Sequence, residues 1–236
     1  MKSQEQIHHS HELTHVKSSE VLRDFVIGMA DGLTVPFALV AGLSGVFDKS
    51  GIIVVAGVAE IAAGTIAMGL GGYLAAKTQR EHYEAELERE EMEIVKFPEI
   101  EAQECKVILE QWGISKKQSP SIVNSLRKEP EKWRDFMMRF ELGLDKPDKN
   151  RELISPIVIG SAYAIGGLVP LSPYFFTNEV AIAFDFSIGL TIAALLAFGA
   201  FKGAFTGVSK LKSALHTCFI GGIAASAAYF LAKLVS

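Results

Sequence analysis

A carboxylate inside an apolar segment is the first residue of chemical interest in this chain. Asp31 lies within FVIGMADGLTVPFALVAGL, residues Phe25–Leu43, a stretch long enough for a membrane-spanning helix. An ionised carboxylate there costs at least about 2.5–3.5 kcal/mol, which a bound cation or a transported proton can offset. Gly28 and Gly32 permit close approach of another backbone, and Pro36 frees a backbone carbonyl. The pattern predicts a transport-pathway residue; a packing kink with Asp31 bonded to a neighbouring helix is the alternative.

A second apolar segment, Gly51–Thr78, adds another carboxylate and a thioether. Glu60 and Met68 are eight residues apart, so they share one face of a helix. If the first two spans pack closely, Asp31, Glu60 and Met68 lie near their seam. A carboxylate with a thioether suits a divalent transition metal better than Ca²⁺ or Mg²⁺. For Met68 alone, ordinary packing is the alternative.

Two pairs of glutamates follow in the polar part of the chain. Glu90 and Glu93 precede Pro98, and Glu101 and Glu104 follow it. Residues three apart share a helix face, so two helices joined at Pro98 would turn four carboxylates toward each other. Like charges at this spacing repel unless a cation lies between them. The spacing leaves open a metal site or an ordinary solvated acidic face.

The elements that position these residues follow from hydrophobicity. The chain has 236 residues, 49% of them hydrophobic, which indicates an integral membrane protein with a soluble part. We predict an all-α membrane protein with five transmembrane helices and a helical cytosolic metal-binding domain between the second and third. The predicted parts are a disordered histidine-containing tail (1–20), helices one and two (21–78), the acidic domain (79–150) and helices three to five (151–236).

Charge and cysteine content narrow the functional classes. The net charge of −4 provides no basic surplus for nucleic acid. The two cysteines, Cys105 and Cys218, form no CxxC motif and predict no disulfide. The loop 202–212 and the acidic domain carry more lysine and arginine than the loops 44–50 and 172–179. The positive-inside rule therefore places the N-terminus and the acidic domain in the cytosol, and the C-terminus on the other side.

Three stretches of the sequence resemble the vacuolar iron transporter family, most closely its plant members. They are MADGLTVPFALVAGLSG, AEIAAGTIAMGLGGYLAAKT and the glutamate-rich domain, and the resemblance covers about residues 20–236. It implies a homodimer in the vacuolar membrane that moves Fe²⁺ from the cytosol, in exchange for protons, and can also carry Mn²⁺. It implies a transporter without a prosthetic group and without enzymatic activity.

The resemblance also implies roles for particular residues. In the transport pathway, Asp31 and Met68 would form a metal site, Glu60 would be a further carboxylate, and Asp24 would lie at the cytosolic mouth. The acidic domain would capture metal ions before transport. Its implied ligands are Glu90, Glu93, Glu101, Glu104, Met137, Met138 and Glu141. Such ligands admit Fe²⁺, Mn²⁺, Co²⁺ or Zn²⁺, and the sequence does not decide among these metals.

Two other functions compete with transport. A membrane-tethered di-iron oxidase would need Glu-x-x-His motifs, but the chain has no histidine between His82 and His216. A membrane-anchored cytosolic metal sensor or buffer would explain the acidic domain. It would leave Asp31 and Glu60, the acids within the spans, without a role.

Overall fold

Helices form all the regular secondary structure in the part of the chain that the computed structural model describes, which is residues 4–235, with side chains from 20 to 234. An isolated antiparallel bridge joins Lys49 and Glu179, and a 3₁₀ turn, Ser172–Phe175, follows the sixth helix. The prediction of an all-α protein is confirmed. The helices are α1 Gln4–Ser44, α2 Ser50–Lys96, α3 Pro98–Gln111, α4 Ser119–Leu126, α5 Pro130–Phe140, α6 Arg151–Leu171, α7 Val180–Thr206 and α8 Lys210–Val235.

Five of these helices are long and apolar enough to cross a membrane, as the sequence predicts. They are α1 from Glu20, α2, α6 with the turn that follows it, α7 and α8. Helix α2 continues beyond its apolar part, residues 51–78, because residues 79–96 contain neither glycine nor proline. Pro98 is the first residue of α3. Proline is favoured at this position because a backbone N–H there would have no acceptor within the helix.

Helix α1 begins earlier than the sequence predicts. Its first residue is Gln4, so the backbone of residues 4–20 is helical where we expected a disordered tail. This segment has no glycine or proline and includes the helix formers glutamine, glutamate and leucine, which allows the first span to extend toward the N-terminus. Residues 1–3 and the side chains of the four tail histidines lie outside the described residues.

The chain divides into two compact units, of which the first comprises residues 1–74 and 152–236. In this membrane unit, α6 lies against the glycine pair of α1. A Cβ atom on Gly28 would collide with the carbonyl oxygen of Ile159, and one on Gly32 with the backbone of Tyr163. The helix that packs against the glycines beside Asp31 is therefore α6, a partner that the sequence pattern did not identify. Gly166 of α6 permits this approach, because its own position faces the backbone of Gly32. Gly160 of α6 faces the backbone of Thr65 on α2 instead.

The second unit, residues 75–151, contains the polar half of α2 together with α3, α4 and α5. One small hydrophobic cluster holds these helices together. Three of its members, Cys105, Met137 and Trp133, are at most 3% exposed. Glycines with positive φ, Gly113 (88°) and Gly143 (66°), follow α3 and α5, where a left-handed residue lets the chain turn away from a helix. The compact arrangement brings side chains from α2, α3 and the end of α5 together.

Candidate functional site

Three carboxylates converge in the second unit. Glu90 of α2, Glu101 of α3 and Glu141, which directly follows α5, each offer one oxygen atom, and these atoms lie within 4.8 Å of one another. Glu90 is 1% exposed and Glu101 is 4% exposed, while Glu141 opens to solvent. Three oxygen donors from α2, α3 and the end of α5 form a cluster of the kind that binds divalent cations. We call these residues the carboxylate triad.

The electrostatics of the carboxylate triad favour a bound positive charge. Burial, followed by the charges of Glu141 and Glu101, raises the pKa of Glu90 to about 7. Burial, followed by the charges of Glu104 and Glu141, raises the pKa of Glu101 to about 7. The pKa of Glu141 is raised for the same reasons. One oxygen of Glu90 and one of Glu101 are buried and make no hydrogen bond to any described residue. Bound protons or a metal ion would reduce the electrostatic repulsion among the three carboxylates.

The other predicted ligands are not members of the triad. Glu93 lies 3.7 Å from the guanidinium of Arg89, and Glu104 contributes to the raised pKa of Glu101 and of Glu141. Met137 and Met138 are fully buried, at 0% and 1% exposure. The structure therefore brings together one glutamate from each predicted pair with Glu141, rather than all four paired glutamates.

In the membrane unit, a tyrosine that the sequence reasoning missed joins the predicted pathway residues. The hydroxyl of Tyr163 on α6 donates a hydrogen bond to Glu60 on α2. Tyr163 is 3% exposed, and its ring fills the space beside Gly64. Its hydroxyl also interacts electrostatically with Asp31. The second oxygen of Glu60 is buried and has no partner among the side chains described. Tyr163 is thus bonded to the carboxylate of α2 and lies near enough to that of α1 to be affected by its charge.

The remaining acids and the thioether of the membrane unit occupy different environments. Asp31 and Met68 are half-buried, and Asp24 is buried at 2% exposure. Thr34 donates its hydroxyl to the carbonyl of Ala30 at 2.9 Å, one turn from Asp31. Asp185 of α7 is exposed. The residues next to Tyr163 in the sequence form no polar pattern that would mark it as functional. Tyr163 could have been identified only from knowledge of which helices pack against each other.

Comparison with known proteins covers both units. A model of the VIT family matches residues 22–233. The chain is 52% identical to "Vacuolar iron transporter 1" of Tulipa gesneriana, over 99% of this chain and 94% of that protein. It is 52% identical to "Vacuolar iron transporter 1" of Arabidopsis thaliana, over 97% of this chain and 90% of that protein. It is 40% identical to "Protein CCC1" of Saccharomyces cerevisiae, over 91% of this chain and 69% of that protein.

Proposed function

The chain belongs to the VIT family, and from that premise we propose that it transports Fe²⁺ from the cytosol into the vacuole in exchange for protons. The observation that carries this proposal is the pair of carboxylates, Asp31 and Glu60, in two helices apolar enough to span a membrane. Intramembrane carboxylates are costly and mark ion or proton pathways. Mn²⁺ is the proposed second cargo, and Co²⁺ and Zn²⁺ are further candidates for binding.

The carboxylate triad is the proposed capture site for metal ions on the cytosolic side. Glu90, Glu101 and Glu141 supply oxygen donors from α2, α3 and the end of α5. Glu93 and Glu104 add negative charge that attracts a cation to the site. The thioethers of Met137 and Met138 would add soft donors, which Fe²⁺ tolerates better than Mn²⁺ does.

Proton exchange follows from the chemistry of a carboxylate in an apolar setting. Asp31 and Met68 would hold the metal ion in the pathway, with Asp24 before them and Glu60 as a further carboxylate. A metal ion that binds Asp31 needs the ionised carboxylate and so releases any proton that is bound there. Protons from an acidic lumen would then displace the metal ion on the far side.

A homodimer is the proposed assembly, and α2 offers a surface for it. The small residues of α2 that recur every four positions are exposed in the single chain. Larger apolar side chains on the same helix are also exposed, and that of Val55 is 71% exposed. Small residues let a second copy's backbone approach closely within lipid. The small residues are Ala59, Ala63, Ala67 and Gly71.

We further propose that the N-terminus and the second unit lie in the cytosol and the C-terminus in the lumen, as the positive-inside rule predicts.

A membrane-anchored cytosolic metal sensor or buffer is the second candidate. The carboxylate triad alone could provide the metal-binding site of such a sensor or buffer. Such a protein would not need Asp31, nor the contact between Tyr163 and Glu60 within the membrane unit. The proposal assigns no enzymatic step to any residue.

Fe²⁺ uptake into proteoliposomes tests the proposed function. We expect an interior one pH unit more acidic than the outside to raise the final accumulation of Fe²⁺ about tenfold per proton exchanged, because such a gradient contributes about 1.4 kcal/mol per proton. A proton ionophore and protein-free liposomes are the controls. Uptake that ignores the gradient would contradict proton exchange and indicate a facilitator. No uptake above the protein-free level, with metal still bound, would favour the sensor.

Removal of the Tyr163 hydroxyl should slow transport. In Tyr163→Phe, Glu60 loses its hydrogen-bond donor, and an unsatisfied buried carboxylate costs about 1–3 kcal/mol. We therefore expect the initial rate of Fe²⁺ uptake to fall about tenfold, with little loss of folded protein. Tyr174→Phe is the matched control, since the hydrogen bond between the Tyr174 hydroxyl and Ser44, at 2.7 Å, involves neither acid. Equal rates for the two variants would exclude a role for Tyr163 in the pathway.

A further inference from the structure

A chain of two hydrogen bonds through sulfur lies in the second unit. The indole Nε1–H of Trp133 donates to Sγ of Cys105 at 3.1 Å. The thiol of Cys105 in turn donates to Sδ of Met137 at 3.2 Å. The three side chains are 3%, 0% and 0% exposed, respectively. Water therefore does not compete for either bond.

The two residues with sulfur atoms, Cys105 and Met137, are close in sequence to members of the carboxylate triad. Cys105 follows Glu101 by one turn of α3, and Met137 precedes Glu141 by one turn. Four residues span about 6 Å along a helix. All three carboxylates of the triad also act electrostatically on the sulfur of Cys105. Cys105 and Met137 thus each lie about one turn of helix from a member of the triad.

A free methionine side chain would not hold its sulfur in one place. Methionine has three rotatable bonds and fits many shapes of cavity, so an added donor is useful only if its rotamer is held. The thiol of Cys105 occupies one lone pair of the Met137 sulfur and leaves the other free for a cation. The N–H of Trp133 occupies the acceptor side of Cys105, which directs the S–H bond toward Met137.

We propose that Cys105, oriented by Trp133, is a positioning residue that holds the Met137 thioether for the metal ion captured at the carboxylate triad. This inference rests on the proposed function of the triad as a capture site. A held thioether favours the softer ions Fe²⁺ and Co²⁺, whereas carboxylates alone suit Mn²⁺ equally well. Cys105 therefore sets the metal preference of the site without being a ligand itself.

Metal titrations of the full-length protein in detergent test the proposal, with Co²⁺ as an air-stable probe and Mn²⁺ as the harder one. The variants are Cys105→Ala, Cys105→Ser, Met137→Leu and the Cys105→Ala/Met137→Leu pair. We expect Cys105→Ala to weaken Co²⁺ binding about tenfold, as loss of an outer partner of a ligand does, and to leave Mn²⁺ binding within about twofold. Unchanged Mn²⁺ binding also shows that the variant is folded. Cys105→Ser keeps a donor and should recover part of the Co²⁺ affinity.

The double variant separates positioning from a general effect on packing. If Cys105 acts through Met137, then Cys105→Ala has no further effect in the Met137→Leu background. Equal losses for Co²⁺ and Mn²⁺, or full additivity, would overturn the proposal. A thiolate-to-Co²⁺ absorption band that Cys105→Ala removes would also overturn it, because Cys105 would then be a ligand.

Glu101→Gln distinguishes failure of this inference from failure of the capture site. If Glu101→Gln binds both metals as the wild type does, the triad is not the capture site and the inference fails with it. If Glu101→Gln loses binding while Cys105→Ala keeps the wild-type preference, only the role of Cys105 is wrong.

Discussion

Asp31→Asn should abolish Fe²⁺ transport, lowering the initial rate of uptake into proteoliposomes at least about 100-fold. The amide keeps the shape of the side chain but cannot neutralise a cation within the apolar part of α1. Loss of one partner from a buried charge pair costs about 3–5 kcal/mol, and about 2.7 kcal/mol already corresponds to a 100-fold rate. Asp31→Ala should behave in the same way, since the charge matters rather than the volume.

A matched control for Asp31 is available on another membrane helix. Asp185 also lies within an apolar segment, that of α7, but its side chain is exposed. Asp185→Asn should keep the rate of uptake within about twofold, because none of the proposed pathway residues lies on α7. Metal binding by the detergent-solubilised Asp31→Asn protein should remain, because the triad residues belong to the other compact unit. Wild-type transport by Asp31→Asn would exclude a pathway through this carboxylate.

The sequence alone identifies Asp31 as a candidate pathway residue, because the signal for it is local. An acid within a run of apolar residues is visible without knowledge of its neighbours, and the lengths of such runs also predict the five candidate spans. The continuation of α2 beyond residue 78 is similarly local, since it depends on the absence of glycine and proline. Such features depend only on residues that are close in sequence, so they do not require knowledge of the tertiary contacts.

The partners of these residues could not be predicted in the same way. Which helix lies against Gly28 and Gly32 depends on the packing of all the apolar helices, and α6 takes that place through its own glycines. The hydrogen bond of Tyr163 joins residues 103 positions apart. Glu141 joins Glu90 and Glu101 because α3 and α5 share one small core. Spacing within one helix contains no information on such contacts.

Glu101→Gln should weaken binding of divalent metals to the full-length protein about 100-fold. It removes one of three oxygen donors and one of the charges that the metal neutralises, and loss of a charged partner at a buried site costs about 3–5 kcal/mol before relaxation. Glu99→Gln is the matched control on the same helix. Glu99 is exposed and pairs with Arg127 at 2.5 Å, so it should leave metal affinity within about twofold. Isothermal titration with Mn²⁺ measures both.

The pH dependence of binding tests the same carboxylates by an independent route. The pKa values of Glu90 and Glu101 are raised to about 7, so both carboxyl groups carry protons below that pH. A metal ion must displace these protons, and the affinity should therefore rise steeply from about pH 6 to pH 8. In Glu101→Gln the affinity should rise less steeply with pH, because one titrating group is removed and the charge of Glu101 no longer raises the pKa of Glu90. An affinity that is constant across this range in the wild type would show that the metal binds elsewhere.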